Sequence, residues 1–131
     1  MTMLAGVADP SQVSDDATRD GAAPGLAAAA SLFRGLGDPS RLAIVNHLLL
    51  GEHNVRELTV HLGLAQSTVS AHLRCLLDCR MVAVRAVGRS SVYSLAVGSE
   101  VLGVLRAAES LLAATGHAVV LCPRYGVGGP S

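Results

Sequence analysis

Residues 55–79 read VRELTVHLGLAQSTVSAHLRCLLDC, and this stretch decides the fold. Leu58 and Leu62 lie one turn apart, which places both on one face of a short helix over about Val55 to Leu62. Gly63-Leu64-Ala65 interrupts the period. Val69, Leu73 and Leu76 then restore it along a second helix from about Gln66 to Cys79. Two short helices joined by a tight turn containing Gly form a helix-turn-helix.

The flanks extend this motif in both directions. Toward the C-terminus, Val82, Val84 and Ala86 alternate, Gly88-Arg89 carries a turn signal, and Ser91 to Leu95 alternates again through Val92 and Tyr93. That period of two around a Gly-containing turn predicts a β-hairpin. Residues 99–115 return to helical spacing, with Val101, Leu105, Ala108 and Leu112 in one stripe. Toward the N-terminus, Asp38-Pro39 is an Asp cap followed by Pro at the first helical position. Leu42, Val45, Leu48 and Leu49 supply the buried stripe of that helix, and Gly51 ends it. Before it, Leu26, Ala29, Ala30, Phe33 and Leu36 recur helically from Pro24 until Gly37. The expected fold is mainly α with a β-hairpin wing (α+β), a winged helix-turn-helix. The stripe on the last helix and the first helix lack an evident partner within one chain, so a homodimer is expected.

Composition sets further bounds. The chain has 131 residues, half of them apolar, with one Phe, two Tyr and no Trp. Such a core is aliphatic, and base recognition by aromatic stacking is excluded as its mode of action. No apolar run approaches the roughly 20 residues of a membrane span, and Met1 to Pro10 lacks the pattern of a secretory signal. A cytoplasmic protein without membrane contact is expected. Asp-rich residues 1–23 are read as a disordered tail, 24–117 as the DNA-binding and dimerisation domain, and 118–131 as a flexible tail carrying Cys122. All ten basic residues are Arg, and seven fall between residues 31 and 95. Guanidinium groups suit phosphate through their forked geometry.

At about 100° per residue, the second helix of the motif turns Val69, Leu73 and Leu76 to one side. Gln66, Ser67, Thr68, Ser70, Ala71 and Arg74 then belong to the side available to a DNA major groove, where hydroxyls and Arg read base edges or phosphates. His72 lies nearer the packed side, so a structural role competes with a DNA role there. Arg89, at the hairpin tip, suits a phosphate or the narrow groove. Ala65 stands at the position before the helix, where a Ser or Thr would cap it.

Three cysteines remain. Cys75 and Cys79 are one turn apart on that same helix, so their thiols share a face. Two thiolates can clasp a soft ion, but a third ligand is needed to close the site. Cys122 is the available third. His47, His53, His61 and His117 are not spaced as a ligand set and are read as surface or satisfied core residues.

Phe33 to Leu42 (FRGLGDPSRL), Gln66 to Leu73 (QSTVSAHL) and Gly88 to Leu95 (GRSSVYSL) together resemble the ArsR/SmtB metalloregulators over about residues 26–115. The resemblance implies a homodimeric repressor that leaves double-stranded operator DNA when a metal ion binds. His72 to Cys79 (HLRCLLDC) resembles more narrowly the branch of that family that senses cadmium and lead. That implies Cd(II) or Pb(II) as effector, with Zn(II) a further candidate, held by Cys75, Cys79 and Cys122, the last from the partner protomer. The Asp and His set of a zinc site across the last helix is missing, as is a Cys-x-Cys over residues 55–62. Two other readings remain open: a thiol-based redox or sulfur-responsive repressor on the same module, and a winged helix without effector. A thiol enzyme built on His72 and Cys75 lacks an oxyanion site and an orienting carboxylate, so no enzyme is expected.

Overall fold

The computed structural model describes residues 22–122. The expected tail over residues 1–23 lies outside the described part except for its last two residues, and most of the tail over 118–131 lies outside it as well. The described chain runs α1 (Ala22–Leu36), α2 (Pro39–Leu50), β1 (His53–Asn54), α3 (Val55–Leu62), α4 (Gln66–Asp78), β2 (Val82–Val87), β3 (Ser90–Leu95) and α5 (Gly98–Ala114). It divides into two units, one ending at Arg34 and one starting at Gly35.

The first unit contains most of α1. This helix begins at Ala22, two residues before the expected Pro24, because a Pro without N–H is tolerated in a first helical turn. Leu26 and Phe33 of its apolar stripe are 67% and 63% exposed.

The second unit holds the helix-turn-helix and its wing. Asp38 caps α2 through Oδ2, which accepts from the Arg41 N–H at 3.0 Å, and Pro39 follows it. The buried residues of α2 are Ile44, Val45 and Leu48, whereas Leu42 and Leu49 are only half-buried. Asn54 caps α3 in a full capping box: its Oδ1 accepts from the Glu57 N–H, and Glu57 Oε1 accepts from the Asn54 N–H, both at 2.8 Å. Gly63, with φ 68°, ends α3 in the left-handed conformation and begins the turn to α4. Leu58 meets Val69, Leu73 and Leu76 in the core with no exposed surface. Each such side chain contributes roughly 1.5–3 kcal/mol by leaving water.

β2 and β3 pair antiparallel from Val82↔Leu95 to Val87↔Ser90, and the two-residue turn between them is Gly88-Arg89. Gly88 has φ 61° while Arg89 does not enter positive φ, the pattern of a type II′ turn. A third strand, unanticipated because it is two residues long, pairs His53↔Tyr93 and Asn54↔Val92 and gives the order β1-β3-β2. This is a winged helix-turn-helix. One expectation about α5 needs correction: Val101 and Leu105 are 5% and 2% exposed, so that half of the stripe is already buried within the single chain. Leu111, 67% exposed, is the large apolar side chain that α5 leaves in solvent.

Candidate DNA-binding face and thiolate ligands

Helix α4 presents a sharply divided surface. Val69, Leu73 and Leu76 are fully buried, while Gln66, Ser67, Thr68, Ser70, Ala71 and Arg74 are all exposed. That polar side is therefore exposed among the described residues. Ala65 stands at the N-cap without a side-chain cap bond. Its N-terminal N–H groups lack a side-chain acceptor worth about 1 kcal/mol. Such uncapped donors also suit a phosphate oxygen.

His72 is held differently. Its Nδ1 lies 3.2 Å from Arg41 Nη1, and its Nε2 lies 3.7 Å from Asp38 Oδ2. The ring thus links α4 to the start of α2. Arg41 also donates from Nε to the Gly35 carbonyl at 2.7 Å. Of the two roles open to His72, this geometry supplies the structural one.

Arg89 is exposed at the wing tip. Arg56, an exposed residue of α3, is not marked by any local motif. It lines a polar hollow together with Gln66 of α4 and Ser90, Ser91 and Tyr93 of β3. The signal was present as one more Arg in the basic middle of the chain, but only the fold brings it beside the start of α4. Arg85, by contrast, is committed to Glu52 through two bonds of 3.1 and 2.7 Å.

The cysteines occupy two regions. Cys75 and Cys79 lie at the C-terminal end of α4, both half-buried, and Cys79 closes the helix with its N–H on the Cys75 carbonyl at 3.1 Å. Cys79 Sγ packs over the backbone of Gly35. Cys122 lies beyond α5, where Glu109 Oε2 accepts from the N–H groups of Leu121 (2.6 Å) and Cys122 (2.9 Å). Burial, followed by the charge of Glu109, pushes the Cys122 thiol above its ordinary pKa, with Arg106 opposing. No disulfide joins the three. Among the described residues of a single chain they do not converge as a ligand group.

What does converge is unexpected. His47, His53 and His61 each place one ring nitrogen within 4.8 Å of the other two. The reading of these three as separate surface or core residues is thus corrected, since the fold brings their ring nitrogens together. They come from α2, β1 and α3, so no regular sequence spacing marks them. His117 stays apart, its Nδ1 3.2 Å from the Thr115 carbonyl.

An uncommitted polar face on the second helix of the motif, with an arginine-tipped wing beside it, defines a winged helix-turn-helix DNA-binding protein. Comparison with known proteins agrees. The signature of bacterial regulatory proteins of the arsR family matches residues 38–84. A probable mercury resistance operon repressor of Streptomyces lividans is 38% identical over 96 residues, covering 72% of this chain and 75% of that protein. The chain belongs to the ArsR family of bacterial regulatory proteins, and its relatives are transcriptional regulators rather than enzymes.

Three further likenesses extend the comparison. The HTH-type transcriptional regulator CmtR of Mycobacterium tuberculosis is 45% identical over 69 residues, 53% of this chain and 58% of CmtR. The NMR structure of the cadmium metal-sensor CmtR from that organism has a TM-score of 0.51 at 36% identity, covering 60% of this chain and 85% of that one. The homodimeric winged helix-turn-helix domain of Mb0332 from Mycobacterium bovis has a TM-score of 0.62 at 26% identity, covering 70% and 88%. Among the described residues no helix is long and apolar enough to cross a membrane.

Proposed function

We propose that the chain is a metal-responsive repressor that binds double-stranded operator DNA as a homodimer and releases it on binding Cd(II) or Pb(II). In this reading Cys75, Cys79 and Cys122 are the ligands, Cys122 coming from the partner protomer, and Zn(II) is a further candidate effector. The observation that carries it is the placement of Cys75 and Cys79 one turn apart on the helix that also exposes Ser67, Thr68, Ser70, Ala71 and Arg74. An ion held there ties a second chain segment to the DNA-reading helix. DNA docking and metal binding then compete for the position of α4, and each weakens the other by the same factor.

Supporting this, one relative is named as a mercury resistance repressor and another as a cadmium sensor. The homodimer is supported by the described domain of Mb0332 and by the exposed Leu26, Phe33 and Leu111. Gln66, Ser67, Thr68, Ser70, Ala71 and Arg74 enter the major groove, Arg89 and Arg56 meet phosphates, and His72 acts on DNA through the placement of α4.

The test is release of labelled operator by Cd(II) from the wild type and from Cys75→Ser, Cys79→Ser and Cys122→Ser. The first two variants lose the response, and Cys122→Ser keeps DNA binding while release weakens. Equal release by all four proteins at one metal concentration overturns the ligand assignment. A stable monomer at micromolar concentration in sedimentation overturns the dimer.

A further inference from the structure

We propose that His47, His53 and His61 bind one borderline divalent ion, of which Zn(II) is the representative, bracing α2, β1 and α3 against one another.

The first argument is geometric. One ring nitrogen from each residue lies within 4.8 Å of the other two, and the ring centroids are 5.0 to 5.9 Å apart. A tetrahedral ion with Zn–N bonds of about 2.0–2.1 Å needs nitrogens roughly 3.3 Å from one another. Side-chain rotation covers the difference. His47 and His61 are stacked with an interplanar angle of 24°, and His53 meets both edge-on at 73° and 76°. His61 is exposed in the last turn of α3, so its ring can swing without disturbing the core.

The second argument concerns the tautomer. His53 Nδ1 lies 2.8 Å from the Gly51 carbonyl, which only accepts, so Nδ1 carries the proton. The Nε2 lone pair is left facing outward from that bond. An outer carbonyl that fixes the ring and leaves the other nitrogen bare is how metal-bound histidines are commonly oriented.

The third argument is charge. The neighbouring carboxylate, Glu52, is engaged by Arg85. Burial, and then the proximity of His61 and His53, lowers the His47 pKa. Neutral imidazole is the form that ligates.

The fourth is preorganisation. His53 is fixed by the β1–β3 pairing to Tyr93, and His47 and His61 ride on helices anchored by the buried Leu48 and Leu58. The fold therefore assembles the three side chains before any ion arrives. An all-nitrogen set selects Zn(II), Co(II), Ni(II) or Cu(II) over thiophilic ions, and three protein ligands leave a position for water. This site is independent of the thiolate reading, since it uses none of the cysteines.

Co(II) is the probe. The full-length Cys75→Ser, Cys79→Ser, Cys122→Ser triple variant is titrated with Co(II) and then Zn(II), alone and with His61→Ala added. The expected result is one Co(II) per protomer with visible d–d bands and no thiolate charge-transfer band, displaced by Zn(II). His61→Ala should weaken binding by at least the roughly 10–100-fold that losing an outer partner costs. Zn(II) should also raise the melting temperature of the folded chain, and His61→Ala should remove that rise. If the triple variant fails to fold, the same His61→Ala comparison in the chain with its cysteines intact should lower the Co(II) stoichiometry by one per protomer. Absence of thiolate-free Co(II) binding in a folded triple variant, or binding unaffected by His61→Ala, overturns the proposal.

Discussion

Arg41 Nη1 lies 3.2 Å from His72 Nδ1, and this contact joins the start of α2 to the middle of the DNA-reading helix. A guanidinium only donates, so in the neutral ring Nδ1 accepts and the proton resides on Nε2, on the side of Asp38. His72→Ala should therefore loosen α4 against α2 rather than remove a base contact. The expected outcome is a lower melting temperature together with a similar loss of affinity across operator variants. Binding assays on a set of single-base substitutions check this, and a preference lost at one base pair would assign His72 to direct readout.

Arg89 makes a different case. It occupies the exposed tip of a type II′ turn, where nothing orders it toward a particular base. Arg89→Ala should weaken every operator about equally and reduce the salt slope by about one unit. Affinities measured over a series of salt concentrations separate this phosphate role from base recognition.

A third expectation concerns backbone strain. Two helices end with the same hydrogen-bond pattern: α5 through Gly116 N–H to Ala113 and His117 N–H to Leu112, and α4 through Arg80 N–H to Leu77 and Met81 N–H to Leu76. The left-handed position is glycine in the first, with φ 88°, and arginine in the second, with φ 63°. A side chain in that conformation costs about 1–2 kcal/mol. Arg80→Gly should stabilise the protein by roughly 0.5–1 kcal/mol, readable as a higher urea midpoint with an unchanged slope.

The pH dependence follows from Asp38. The Arg41 backbone N–H is the main influence holding its carboxyl below the ordinary pKa; burial opposes this, and the charges of His72 and Arg41 support it. A carboxylate with a depressed folded-state pKa contributes stability above its unfolded pKa and loses it as the pH falls through the folded value. Asp38→Asn keeps a capping acceptor but removes the charge. Unfolding midpoints of wild type and variant should thus differ at neutral pH and converge as the pH drops below the ordinary carboxyl range.

The residues that repeat with a helical period reveal how much of this was legible in sequence. Val69, Leu73 and Leu76 fix which side of α4 is buried, and the exposed side follows by geometry alone. Asp38-Pro39 and Gly88-Arg89 likewise carry local signals that the structure honours, because caps and tight turns depend on neighbours in the chain. The two-residue β1 has no period to detect, and it exists through pairing with Tyr93 and Val92. The histidine cluster escaped for the same reason, since its members come together only when α2, β1 and α3 pack. Val101 and Leu105 misled in the other direction. A stripe shows that a helix buries a face, but not whether its own chain or a second copy covers it.

Gly35 gives the last test, since it connects packing to the thiolate assignment. A Cβ built on this residue would lie 2.9 Å from Cys79 Sγ and 2.9 Å from Met81 Cε. The Met81 methyl is the end of a flexible chain and can move aside. The Cys79 thiol turns about a single bond, so it must leave its present rotamer or push the backbone. Alanine's better helix propensity, worth up to about 1 kcal/mol, works against the roughly 1–3 kcal/mol of overpacking. Gly35→Ala should therefore be destabilising by about 1 kcal/mol in net terms. If Cys79 is a ligand, the variant should also need more Cd(II) to release operator, because the thiol no longer starts from its present position. Operator affinity without metal should change far less, as the exposed side of α4 is untouched. A variant that loses stability yet releases DNA at the wild-type Cd(II) concentration would separate Cys79 from the metal site and leave it as packing against Gly35.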